Sequence, residues 1–163
     1  MFSRAVQGAI IASAITSTIV LNFFTPTESL KTWYKLGSRA ILLDITSISL
    51  GAYVGLAAGA KLNFLGLGLG TGIGIVVAVI VGVLHDFSFG KLLEHLPNTE
   101  ILSVFKAYGD EKRARILLDD ALIIIGAIVI AQILTYIPNS HANAITSIFF
   151  YVNILLVDAI SSY

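Results

Sequence analysis

No charged residue falls between Arg4 and Glu28. An uninterrupted apolar run of that length is what a bilayer demands, since its hydrocarbon core takes about 20 residues of helix. Four more runs follow it. Residues 40–60 are bracketed by Arg39 and Lys61 and hold one charge, Asp44. Residues 65–84 hold none. Residues 116–136 carry Asp119 and Asp120 in their first turn, and residues 142–160 carry Asp158 near their end. The composition agrees: 56% of the 163 residues are hydrophobic and 12% are charged, against roughly 25% charged in an ordinary soluble domain. Mean hydropathy is +0.90. Disordered tails, basic nucleic-acid-binding domains and ordinary soluble globules are excluded as classes. The expected fold is an all-α membrane protein, one transmembrane domain over residues 1–163 with five spans. Ala12-Ser13-Ala14 loosely resembles a signal-peptide cleavage site, but the apolar run continues past it, so the first span is read as retained. With no cysteine, disulfides, thiolate metal sites and a cysteine nucleophile are excluded.

Lysines and arginines set the orientation. Five spans put residues 25–39 and 85–115 on one side, with Lys31, Lys35, Arg39, Lys91, Lys106, Lys112, Arg113 and Arg115; Arg4 and Lys61 lie on the other. The basic side is expected to be cytoplasmic, with the N-terminus outside or lumenal and the C-terminus inside.

Gly51, Gly55 and Gly59 recur every fourth residue in the second run, and Gly66, Gly70 and Gly74 do so in the third, with Gly68 and Gly72 as an adjacent stripe. Small residues at this spacing let helix backbones approach closely. The two stripes flank a turn at Lys61-Leu62-Asn63, which predicts a tight antiparallel hairpin whose cytoplasmic half splays. A phosphate loop would need a Lys-Ser/Thr ending after a strand, and a rotary proteolipid a mid-span carboxylate. Neither occurs here.

Two segments echo each other. Thr25-Pro26-Thr27-Glu28 and Asn98-Thr99-Glu100 each read as a helix cap, the former as a capping box with proline at the first helical position. Each opens a short helix, over about 26–36 and 99–108, with an apolar face of Leu30, Trp33 and Tyr34 or of Ile101, Leu102, Phe105 and Tyr108. Gly37 and Gly109 then suit left-handed C-caps, and Ser38 or Asp110 opens a span beginning Ile-Leu-Leu-Asp. Amphipathic helices with aromatics and lysines beside a span belong at the interface, so both are placed on the cytoplasmic surface.

The carboxylates are the most informative feature. Asp44 lies five residues beyond Arg39 and Asp119 four beyond Arg115, roughly 6–8 Å into the membrane at 1.5 Å per residue. His85 and Asp86 close the third span on that side, Asp120 neighbours Asp119, and Asp158 ends the fifth. Charged groups inside a span are costly and should pair in the bundle interior. Three readings stay open: structural pairing with Arg39, Arg113 or Arg115; a divalent-cation site; or a proton relay. No cofactor is expected, a divalent cation being the alternative. His95 and His141 are assigned no role.

Trp33-Tyr34, Ala40-x-x-x-Asp44, His85-Asp86 with Phe87, Pro97-Asn98, Phe105-Lys106-x-Tyr108-x-x-Glu111 and Ile116-x-x-Asp119 together span about half the chain. This pattern resembles a family of small multi-pass membrane proteins encoded by nucleocytoplasmic large DNA viruses, the giant and algal viruses. Asp119-Asp120 stands where that pattern would have Asp-Ser. The resemblance implies a viral membrane context, supplies no reaction, and singles out His85, Asp86, Lys106, Tyr108, Glu111 and Asp119. The leading expectation is a structural component of a virion's internal membrane. Its partners would be the lipid bilayer and other virion or membrane proteins on the cytoplasmic side, with homo-oligomers an open option. The alternatives are a small ion channel or transporter using the aspartates, and a metal-dependent enzyme acting on lipid head groups.

Overall fold

The computed structural model describes residues 2–23, 28–64, 70–93, 95–112 and 114–161, and the described residues are helical almost throughout. Five long helices and two short ones follow in order. They are α1 (Phe2–Phe23), α2 (Glu28–Tyr34), α3 (Ser38–Phe64), α4 (Gly70–Leu93), α5 (Glu100–Lys112), α6 (Ala114–Leu134) and α7 (Asn139–Ser161). The all-α expectation holds. Among the described residues, Ser38–Lys61 of α3 and Asn139–Ala159 of α7 are long and apolar enough to cross a membrane, with mean hydropathies of 1.7 and 1.5. Gly70–His85 of α4 is a shorter apolar stretch.

Neighbouring long helices pack closely, α3 on α4 and α1 on α6, with α1 also against α3 and α7. Small residues make these contacts. Gly55 faces Gly74 and Gly59 faces Gly70, so α3 and α4 run antiparallel with backbones nearly touching. Gly8 lies on the Ala127 carbonyl, and Ala12 meets Gly126. Gly66, part of the expected stripe, lies outside the described residues, and Gly72 faces open space. Below the glycine contact, Ile124 of α6 reaches between the two helices. Its Cδ1 would lie 3.3 Å from a Cβ on Gly51 and 2.5 Å from one on Gly82. The gap expected in the hairpin's lower half is therefore filled by a third helix.

The main core is correspondingly fine-grained: Ala5, Ala9, Ala12, Ala52, Ala78, Ala127 and Ala131 interleave with Ile48, Leu56, Ile124 and Ile128. Large apolar side chains point outward from all five long helices, among them Ile19, Leu50, Ile80, Leu84, Leu122, Ile133, Ile148 and Leu155.

The short helices pair with each other, and α2 also rests on α7. Gly37, at φ +58°, ends α2 in the left-handed conformation that costs glycine least. Its N–H and that of Leu36 bond back to the Tyr34 and Trp33 carbonyls. The matching stop expected at Gly109 is absent: α5 runs on to Lys112. Asp110, Glu111 and Lys112 continue the helix, so Asp110 lies inside α5 rather than opening α6. Thr99 does cap α5, accepting a bond from the Leu102 N–H at 3.4 Å. Thr25, which would form the capping box with Glu28, lies outside the described residues.

Candidate functional site

The α2–α3 turn tucks the last two residues of α2 against the bundle. Trp33 and Tyr34 are buried, packing with Ala40, Ile41, Ile45, Val104 and Val157. Expected as aromatics among head groups, they instead face protein, because α2 lies against α5 and α7 with its apolar side inward. The Trp33 Nε1–H donates to Asp44 Oδ2 at 3.3 Å, giving that half-buried carboxylate a donor from the preceding helix. Burial, followed by the negative charge of Asp44, pushes the Tyr34 hydroxyl up to about 12, against a smaller opposing effect of a hydrogen bond with Ser17.

Ser17 continues the polar path into the bundle. Its hydroxyl bonds to the Ser13 carbonyl at 3.0 Å and to Asn153 Oδ1 at 3.2 Å. The Asn153 amide donates to Ser13 Oγ at 3.1 Å. Asn153 is 1% exposed, and all these groups satisfy one another, as buried polar groups must. Asp44, Ser17 and Asn153 lie six to eight residues from the same end of their helices, about 9–12 Å along the axis. Helices α1, α2, α3 and α7 are thus stitched together at one level.

The remaining expected site residues divide. His85 is exposed, with Nδ1 at 3.5 Å from Ser47 Oγ, one turn along α3 from Asp44. Asp119 and Asp120 are half-buried in the first turns of α6, and Asp158 is exposed near the end of α7. Arg39 approaches Glu100 at 3.9 Å, and Lys106 Nζ donates to Asn98 at 2.9 Å, tying α5 to the start of α3 and to its own leading loop. The side chains of Asp86, Tyr108, Glu111 and Arg115 lie outside the described residues. Among the described residues no three His, Asp or Glu side chains converge to hold a metal ion.

Sequence reasoning missed the opposite end. Arg4 bonds to Gln7 Oε1 at 2.9 Å, to Asn139 Oδ1 at 2.7 Å and to the Ile137 carbonyl at 3.4 Å. Gln7 in turn donates to Asn143 at 2.7 Å. These bonds clamp the start of α1 to the α6–α7 turn. Beside them opens a cleft of about 370 Å³ between α1, α3, α4 and α6. Only the spacing Arg4-x-x-Gln7 and Asn139-x-x-x-Asn143 hinted at polar faces there. In comparisons with protein-family models, curated proteins and solved structures, none matches this chain.

Proposed function

We propose that the chain is a multi-pass membrane protein whose five long helices cross the bilayer, and that its role is structural, as a component of a membrane of viral type such as a virion's internal membrane. The observation that carries the membrane reading is the inversion of side-chain size. Alanine and glycine fill the contacts between helices, while leucine, isoleucine and aromatic side chains are exposed along all five long helices. Soluble proteins bury their large apolar residues and rarely leave extended apolar patches in water. Lipid removes that penalty and favours close packing through small residues. The structural role is supported by polar groups that satisfy one another across helices at a common level. The viral context rests on the resemblance of residues 33–120. The excess of basic residues at the α2–α5 end orients that end to the cytoplasm and makes it the surface for other virion proteins. The two short helices lie there at the interface.

A chain without cysteine is suited to single-cysteine labelling. Ser140→Cys should react with an impermeant reagent from outside and Lys35→Cys only from inside; labelling from one side would overturn the five-span topology. Fractionation of purified virions should place the protein with the internal membrane. Reconstituted vesicles should pass no more cations or protons than protein-free ones. A flux abolished by Asp44→Asn with Asp119→Asn would replace the structural role by transport.

A further inference from the structure

The acidic residues among those described lie on α2, on α5, or toward one end of α3, α4, α6 and α7. Among the described residues the other end holds Arg4, Lys61 and His141 with no carboxylate. Among the described residues the acceptors of Arg4, on Gln7, Asn139 and Ile137, are all uncharged; they orient the guanidinium and bring it no negative charge. That half-buried cation lines the cleft of about 370 Å³, within the range of about 300–1,000 Å³ of small-molecule sites. The floor is apolar and smooth, with Gly59 and Ala131 buried, and Thr71, Gln132 and Thr135 add polar groups near the mouth.

We propose that this cleft binds one anionic phospholipid, an acyl chain lying along the glycine–alanine floor and the head-group phosphate meeting Arg4. Guanidinium and phosphate form charge-assisted, often bidentate bonds, and basic pockets between membrane helices bind anionic head groups. A second copy of the chain is a poorer occupant. In the same orientation it would bring only its own Arg4, Lys61 and His141 to this level, since every carboxylate is at the far end.

The proposal rests on the membrane reading above. Native mass spectrometry of detergent-purified protein, loaded with phosphatidylglycerol or phosphatidylcholine, tests it. Wild type should retain phosphatidylglycerol preferentially. Arg4→Gln should reduce that preference on the order of tenfold, and Arg4→Lys should keep part of it. Thr71→Trp fills the cleft without touching the Arg4 bonds and should lower retention of both lipids, so a poorly folded Arg4→Gln does not block the test. Equal retention of the two lipids by wild type, unchanged retention in folded Thr71→Trp, or displacement of the lipid by inorganic phosphate would overturn the proposal. Failure of the membrane reading looks different: the protein would stay monodisperse in buffer without detergent.

Discussion

Gly55 and Gly74 meet so closely that a Cβ on either would lie 2.6 Å from the carbonyl oxygen of the other. The obstacle is backbone, which cannot swing aside as a side-chain end can. At Gly55 the same Cβ would also lie 2.6 Å from Ala78 Cβ and 2.9 Å from Ile128 Cδ1. Gly55→Ala must therefore push α3 away from α4, while the end of the Ile128 side chain can give way. We expect a loss of about 1–3 kcal/mol, the usual cost of overpacking, read as a lower midpoint in thermal unfolding in detergent. Gly72 has nothing within 4 Å, so Gly72→Ala should be neutral or stabilise by up to about 1 kcal/mol through helix propensity. Equal destabilisation by the two substitutions would show that the α3–α4 contact is looser than described.

Asn153 joins α7 to two residues of α1. Asn153→Leu keeps the branched shape of the side chain, at a somewhat larger volume, while removing both bonds and leaving the Ser13 hydroxyl without its donor. Interhelical hydrogen bonds in membranes contribute about 0.6–2 kcal/mol, so the variant should lose about 1–2 kcal/mol in the same unfolding assay. Ser17→Ala should lose less, because Asn153 keeps its bond to Ser13. A neutral Asn153→Leu would mean that the triad fixes no register.

Trp33 is the chain's only tryptophan, so its fluorescence reports the α2–α3 junction directly. Trp33→Phe keeps most of the packing and removes the bond to Asp44, which at 3.3 Å is long for a charge-assisted bond; about 1 kcal/mol of stability should be lost. Trp33→Ala also empties a buried site and should cost about 3–5 kcal/mol. In Asp44→Asn the emission maximum should move while the helix content stays unchanged. An unmoved maximum would separate the indole from the carboxylate in solution.

Features written into short stretches of sequence were legible. The all-α class follows from hydropathy, the Gly55–Gly74 and Gly59–Gly70 contacts from four-residue spacing, and the end of α2 from Gly37, whereas α4 runs on to Leu93, past the end expected at His85-Asp86. What escaped depends on distant partners. Ser13, Ser17 and Asn153 are single polar residues in apolar helices, and their pairing spans 136–140 residues. Arg4 is a lone charge at the start of an apolar run, and its partner Asn139 lies 135 residues away. The stop placed at Gly109 failed because the residues after it support a helix, whereas Gly37 ends one through the positive φ that the turn into α3 imposes. The carboxylate layer was legible only as a level along the helices. Which side chains turn toward one another depends on helix rotation, and that is set by the small-residue contacts.

Tyr34 supplies a pH signature for the α2 junction. Its hydroxyl is raised from the ordinary 10.0 to about 12, first by burial and then by the Asp44 charge. The neutral phenol is therefore favoured in the folded protein, and the associated stability is whole below pH 10. It is lost as pH rises from 10 toward about 12, because the unfolded chain then ionises at Tyr34 while the fold still holds the proton. Two pH units correspond to about 3 kcal/mol. Other tyrosines and the lysines titrate in the same window, so the comparison to make is with Tyr34→Phe, which lacks the ionisation and leaves the ring in place. Its stability relative to wild type should be flat up to pH 10 and then rise toward pH 12. A constant difference between the two proteins across that range would mean that Tyr34 reaches solvent, and that α2 does not seat its aromatic pair on the bundle.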